Sequence, residues 1–143
     1  MVRAPAERVS VLVVDDEDEL RATVVEMFEF LGADVFDAAS GREALRILSF
    51  NPHITLLFTD VRMPGLSGVE LARQARAMRP GLRVVLASAY IEDEAVWGFP
   101  LLRKPYRLAD LAPLLMPPQE AGAPPPSGTT PTACDERPGR GKL

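Results

Sequence analysis

"VLVVDDEDEL" occupies residues 11–20. Four apolar residues run straight into Asp15, Asp16, Glu17, Asp18 and Glu19. An unbroken apolar run reads as a strand buried on both faces, the habit of a parallel sheet. Carboxylates that close repel one another unless something positive holds them. Glu17, Asp18 and Glu19 suit the first turn of a helix, where the macrodipole favours negative charge. Asp15 and Asp16 stand directly at the strand end and need another reason.

Similar runs recur. "VSVLVV" (9–14), "ITLLFT" (54–59) and "RVVLAS" (83–88) are nearly continuous, and "DVFDA" (34–38) and "FPLLR" (99–103) are weaker. Helical patterns lie between them. Leu20, Val24, Phe28 and Leu31 share one face, and Gly32 follows as a stop. Ser40 with Glu43, and Ser67 with Glu70, have capping-box spacing. The first box precedes Ala44, Leu45 and Leu48. The second precedes Leu71, Ala75 and Met78, and "RPG" (79–81) ends that helix. Alternating strands and helices predict a doubly wound α/β sandwich with a five-stranded parallel sheet.

Composition bounds the function. The chain has 143 residues, 47% hydrophobic and 25% charged, with a net charge of -4. An acidic balance argues against general nucleic-acid binding, which needs a basic face. No apolar stretch approaches the ~20 residues of a membrane span. The start, "MVRAPAERVS", lacks the apolar run of a signal peptide. Cys134 is the only cysteine, so no internal disulfide forms. These features predict a cytoplasmic setting. Residues 117–143 hold seven prolines and four glycines with a single large aliphatic residue, which predicts a disordered tail. The expected organisation is an N-terminal extension (1–8), one folded domain (9–116) and that tail.

In open parallel sheets, ligands bind at the carboxyl ends of strands. Asp15 and Asp16 end the first run, Asp60 the third and Ser88 the fourth, and Lys104 follows the fifth. Five polar residues thus fall at one sheet edge. Clustered carboxylates call for a cation, and hard oxygen donors suit Mg²⁺. Carboxylate, metal, lysine and hydroxyl are the parts needed to place a phosphoryl group on an aspartate.

"VVDDED", "TDVRMPGLSG", "VVLASAY" and "LRKPY" together resemble the receiver domain of two-component response regulators. The resemblance covers about residues 9–116. It implies a flavodoxin-like, CheY-like fold with strand order 2-1-3-4-5. By position it makes Asp60 the phosphoacceptor, Asp16 a direct Mg²⁺ ligand and Asp15 a supporting one, with the main-chain carbonyl of Arg62 as a further ligand. Ser88 and Lys104 would bind the phosphoryl oxygens, and the Lys104–Pro105 bond would be cis. The donor would be a histidine kinase or a histidine phosphotransfer protein. Arg62 and Tyr90, two residues beyond Asp60 and Ser88, stand where similar domains tune phosphoryl lifetime.

The sequence also departs from the family. Only 104 − 88 = 16 positions separate Ser88 from Lys104, which predicts a shortened fourth helix. Leu101 stands where an aromatic switch residue is usual, and Tyr90 is a candidate substitute. Pro113 should kink or shorten the last helix. With that face altered, the expected state is a monomer. His53 is expected in a surface turn, Met63 as packing, and the glycines of "GLSG" in a turn and a helix start.

The leading expectation is a single-domain response regulator that catalyses only its own phosphorylation and dephosphorylation. Alternatives are a receiver-like module that binds partners without phosphorylation, and the receiver segment of a hybrid kinase system. A haloacid-dehalogenase-like phosphatase using Asp15 would want aspartate at position 17, where this chain has glutamate.

Overall fold

The computed structural model describes residues 8–89 and 99–116. Five strands form one sheet: β1 (Ser10–Val14), β2 (Asp34–Ala38), β3 (Leu56–Asp60), β4 (Arg83–Ser88) and β5 (Leu101–Arg103). All pairings are parallel, and the order is β2-β1-β3-β4-β5. The helices are α1 (Asp18–Phe30), α2 (Gly41–Phe50), α3 (Gly68–Met78) and a short C-terminal α4 (Leu108–Leu111).

The apolar runs are continuous because the sheet is covered on both faces. Alternate residues feed two separate cores. Leu12, Val14, Leu57, Val84 and Leu86 join Ala44 and Leu48 of α2 and Leu71, Ala72 and Ala75 of α3. Val11, Val13, Leu56, Phe58 and Val85 join Val24 and Phe28 of α1 and Leu111 of α4. The rings of Phe28 and Phe58 meet edge to face at 5.4 Å. On the α1 stripe, Val24 and Phe28 are buried and Leu31 is half-buried, whereas Leu20 is exposed. Met78 is likewise exposed at the end of α3.

Helix boundaries follow local chemistry. Ser67 and Glu70 make the full reciprocal box at α3, with bonds of 3.2 and 3.0 Å. At α2 the box is displaced by one residue. The Ser40 hydroxyl accepts from the Glu43 N–H, but the Glu43 carboxylate accepts from Ala39 N–H. Pro113 acts as its chemistry requires: without an N–H it cannot continue the α-helical ladder. The chain passes from α4 into a 3₁₀ turn over Ala112–Leu115.

His53 is exposed, with its ring edge-on to Phe36 at 5.5 Å. Met63 packs against the core beneath α2 and α3. The segment expected to hold a shortened fourth helix, Tyr90 within it and the 117–143 tail lie outside the described residues.

Candidate functional site

The topology reverses between β1 and β3: the chain goes from β1 to one neighbour, β2, and later returns to the other side as β3. The crevice beyond the carboxyl ends of those two strands is where such sheets bind ligands. The structure brings the predicted acids together there. One carboxylate oxygen from each of Asp15, Asp16 and Asp60 lies within 4.8 Å of the others. Asp15 is buried, Asp16 exposed and Asp60 half-buried.

Asp15 and Asp60 are anchored by main-chain bonds. The Asp15 N–H donates to the Ala38 carbonyl (3.2 Å), which extends the β1–β2 ladder by one residue. One Asp15 carboxylate oxygen accepts the Glu17 N–H at 2.9 Å. Asp60 is the last residue of β3, and its own carbonyl accepts from the buried Thr59 hydroxyl at 3.0 Å. The next N–H, of Val61, donates to Ala87 of β4. Behind this corner sits Gly68, the first residue of α3. A Cβ there would lie 2.0 Å from the Asp60 carbonyl oxygen, so only glycine lets α3 start so close. Gly65, at φ +76, turns the loop that leads there.

Lys104 supplies the positive charge. Its Nζ is 3.2 Å from Asp60 Oδ1 and 3.8 Å from Asp15 Oδ2. The Lys104–Pro105 bond is cis. The Lys104 N–H donates to the Ser88 carbonyl at 2.9 Å, which ties the ends of β4 and β5 together. Ser88 is buried at the end of β4. Burial pushes the Asp60 carboxyl above its ordinary range; Lys104 pulls the other way, and Asp15 and Asp16 add to the rise. Three carboxylates therefore face one ammonium, and the excess negative charge suits a small divalent cation with oxygen ligands.

Arg62 is exposed two residues past Asp60. Leu101 opens β5 opposite Leu86 and packs into the core beneath α2 and α3. Glu17 precedes α1, and Asp18 and Glu19 begin its first turn.

Two contributors carried no obvious sequence signal. Arg21 grips the acidic loop, and its place three residues after Asp18 was the available clue. Tyr106 packs its ring on Phe58 at 5.6 Å, and burial, with Asp15 and Asp60 nearby, raises its phenol well above the ordinary value. Tyr106, Lys104 and Pro105 border an apolar hollow of 310 Å³ with Leu20, Val24 and Met27 of α1.

Fold and site define a doubly wound α/β module of receiver type, with an acidic cluster and a lysine at the carboxyl edge of its sheet. The family model described as the response regulator receiver domain matches residues 11–98, and the chain belongs to that family. It is 30% identical over 107 residues to the response regulator receiver protein CpdR of Brucella abortus, covering 71% of this chain and 88% of that one. It is 36% identical over 112 residues to the sensor kinase CckA of the same organism, covering 72% of this chain but only 12% of the kinase. A receiver domain protein from Clostridium thermocellum superposes with a TM-score of 0.71 at 31% identity, over 75% of this chain and 90% of that chain. No helix among the described residues is long and apolar enough to cross a membrane.

Proposed function

We propose that this chain is a response regulator that accepts a phosphoryl group on Asp60 from a histidine kinase or histidine phosphotransfer protein in the cytoplasm. The observation that carries the reading is the meeting of three carboxylates within 4.8 Å with Lys104 3.2 Å from Asp60. An Asp60 oxygen attacks the phosphorus, and the bond from phosphorus to the donor nitrogen breaks. The imidazole leaves with that electron pair, and Asp60 becomes an acyl phosphate. Asp15, Asp16, Asp60 and the Arg62 carbonyl would hold Mg²⁺, which supplies charge neutralisation at the phosphoryl oxygens. Lys104 pairs with one of those oxygens, and the Ser88 hydroxyl donates to another.

The donor's phosphohistidine would approach over the hollow beside Lys104, whose apolar walls suit a helical segment. The chain performs only its own phosphorylation and dephosphorylation and acts on no other substrate. Movement of Ser88 or Lys104 toward the phosphoryl group is passed between β4 and β5 through their 2.9 Å main-chain bond. That coupling supports signalling by conformational change. Tyr90 and Arg62 would set the lifetime of the phosphoryl group. The reading includes a monomer that does not itself bind nucleic acid. The match to part of a sensor kinase favours one second reading, in which the same chemistry serves a hybrid kinase as a relay.

The test is uptake of label from radiolabelled acetyl phosphate. Mg²⁺-dependent, base-labile incorporation that Asp60→Asn abolishes is expected. Equal labelling of Asp60→Asn, or none in the wild type at saturating Mg²⁺, contradicts the assignment.

A further inference from the structure

We infer that Arg21 is a positioning residue for the metal cluster, acting through the main chain of Asp15; the inference rests on the phosphoacceptor reading proposed above. One guanidinium joins three elements. Its NH1 donates to the Asp15 main-chain carbonyl at 2.9 Å. Its Nε donates to Asp37 Oδ2 of β2 at 2.8 Å. Its NH2 pairs with Asp18 Oδ1 of α1 at 2.9 Å. The Arg21 side chain is 16% exposed, but Asp18 and Asp37 are 83% and 49% exposed, so those two pairs are surface interactions of small worth; the part-buried bond to the Asp15 carbonyl carries the inference.

The division of labour between the two cations follows from what each touches. Lys104 points its ammonium at the carboxylates of Asp15 and Asp60. Arg21 bonds the Asp15 carbonyl instead, while Asp18 and Asp37 take its other edges. Its charge is thus matched outside the cluster, and it does not occupy an oxygen that a cation would need. With the Ala38 bond to Asp15 N–H and the Glu17 bond to Asp15 Oδ1, the Arg21 bond to the Asp15 carbonyl completes a three-point hold. Asp15 Oδ2 is left facing Lys104 and the cluster. Asp16, the next residue, inherits its direction from that restrained peptide.

A planar fork serves three acceptors in fixed directions, which a lysine ammonium on a flexible stem does not reproduce. Loss of the fork frees the peptide that aims Asp15 and Asp16. The three oxygens then have to be gathered by the metal itself, and affinity falls. Partners that orient metal ligands are typically worth about 10–100-fold in affinity.

The experiment measures the Mg²⁺ dissociation constant by calorimetric titration of folded protein, well below the melting transition, beside the metal-free melting temperature. The proteins are wild type, Arg21→Met, Arg21→Lys and Asp37→Asn. Arg21→Met is expected to weaken Mg²⁺ binding about tenfold or more, with Arg21→Lys in between. Asp37→Asn loosens the tie to β2 without touching Asp15; it is expected to lower the melting temperature with a smaller change in Mg²⁺ affinity. Labelling of Arg21→Met by acetyl phosphate should recover as Mg²⁺ is raised, because Arg21 contacts no reacting atom. A folded Arg21→Met with wild-type Mg²⁺ affinity overturns the inference while leaving the site intact. If Arg21→Met does not fold, wild-type affinity in Arg21→Lys overturns it. A wild type that binds no Mg²⁺ overturns the metal-site reading and this inference together.

Discussion

Gly68→Ala adds one methyl group at the start of α3, and its effect can be worked from distances. The new Cβ would lie 2.0 Å from the Asp60 carbonyl oxygen and 2.9 Å from both Asp60 C and Val61 Cα. Real Cβ atoms keep at least 3.0 Å, so α3 or the Asp60–Val61 backbone has to shift by about 3.0 − 2.0 = 1 Å. All three contacts are backbone, which cannot swing aside as a side chain does. The shift strains the Gly68 N–H bond to Val61 O (2.8 Å) and the Thr59 hydroxyl bond to Asp60 O (3.0 Å). Overpacking of this kind costs about 1–3 kcal/mol. Alanine's helix preference offsets up to ~1 kcal/mol of that, less at a first position than in mid-helix. A 2.0 Å approach to backbone puts the cost near the upper end, and a net loss of about 2 kcal/mol should lower the melting temperature by roughly 8–16 °C, at about 4–8 °C per kcal/mol for a domain of this size. Gly81→Ala is the control. Nothing lies within 4 Å of the methyl it would add and its φ is not left-handed, so it should be neutral or stabilising by about 0.4–1 kcal/mol. Thermal melts followed by circular dichroism compare the two. A Gly68→Ala protein that melts with the wild type would refute the close approach of α3 to Asp60.

Three further outcomes are expected. The Asp60 carboxyl is raised in the fold, so the native state binds its proton more tightly than the unfolded chain does, and stability falls as pH rises from the unfolded pKa through the folded one. Asp60→Asn should therefore raise the metal-free melting temperature at neutral pH, with the gain shrinking toward pH ~4; an equal gain at all pH values would count against the cause given. Lys104→Met removes the ammonium 3.2 Å from Asp60 and should slow phosphorylation by acetyl phosphate on the order of a hundredfold; an unchanged rate would remove Lys104 from the chemistry. Phe28→Ala empties a fully buried site beneath β1 and β3 and should cost about 3–5 kcal/mol in urea denaturation; a loss under ~1 kcal/mol would mean the α1 core collapses around the gap.

The inner strands were legible because burial on both faces writes itself as unbroken apolar runs: Arg83–Ser88 falls where the sequence places it. Asp34–Ala38 also falls where expected, on the weaker pattern of an edge strand that buries only Ala38 fully. β5 was less so, because three residues at a sheet edge carry little pattern. Asp15, Asp60, Ser88 and Lys104 could be found because each ends or directly follows a strand, and topology alone carries strand ends to one edge. Arg21 could not be found that way. Its role depends on Asp37, 16 residues away on a neighbouring strand, and on a main-chain carbonyl, which has no sequence signature. Gly68 reads as a helix start in sequence; its closeness to Asp60 belongs to the packing of α3 against β3.

The most direct test of the central claim is to locate the modification. The protein is treated with acetyl phosphate and Mg²⁺, the acyl phosphate is trapped by borohydride reduction, and the tryptic peptides are read by mass spectrometry. Reduction of Asp60, absent when Mg²⁺ is chelated, is the predicted result. A reduced residue at Asp15 or Asp16, or none at Asp60 under conditions that label the whole protein, would contradict the account.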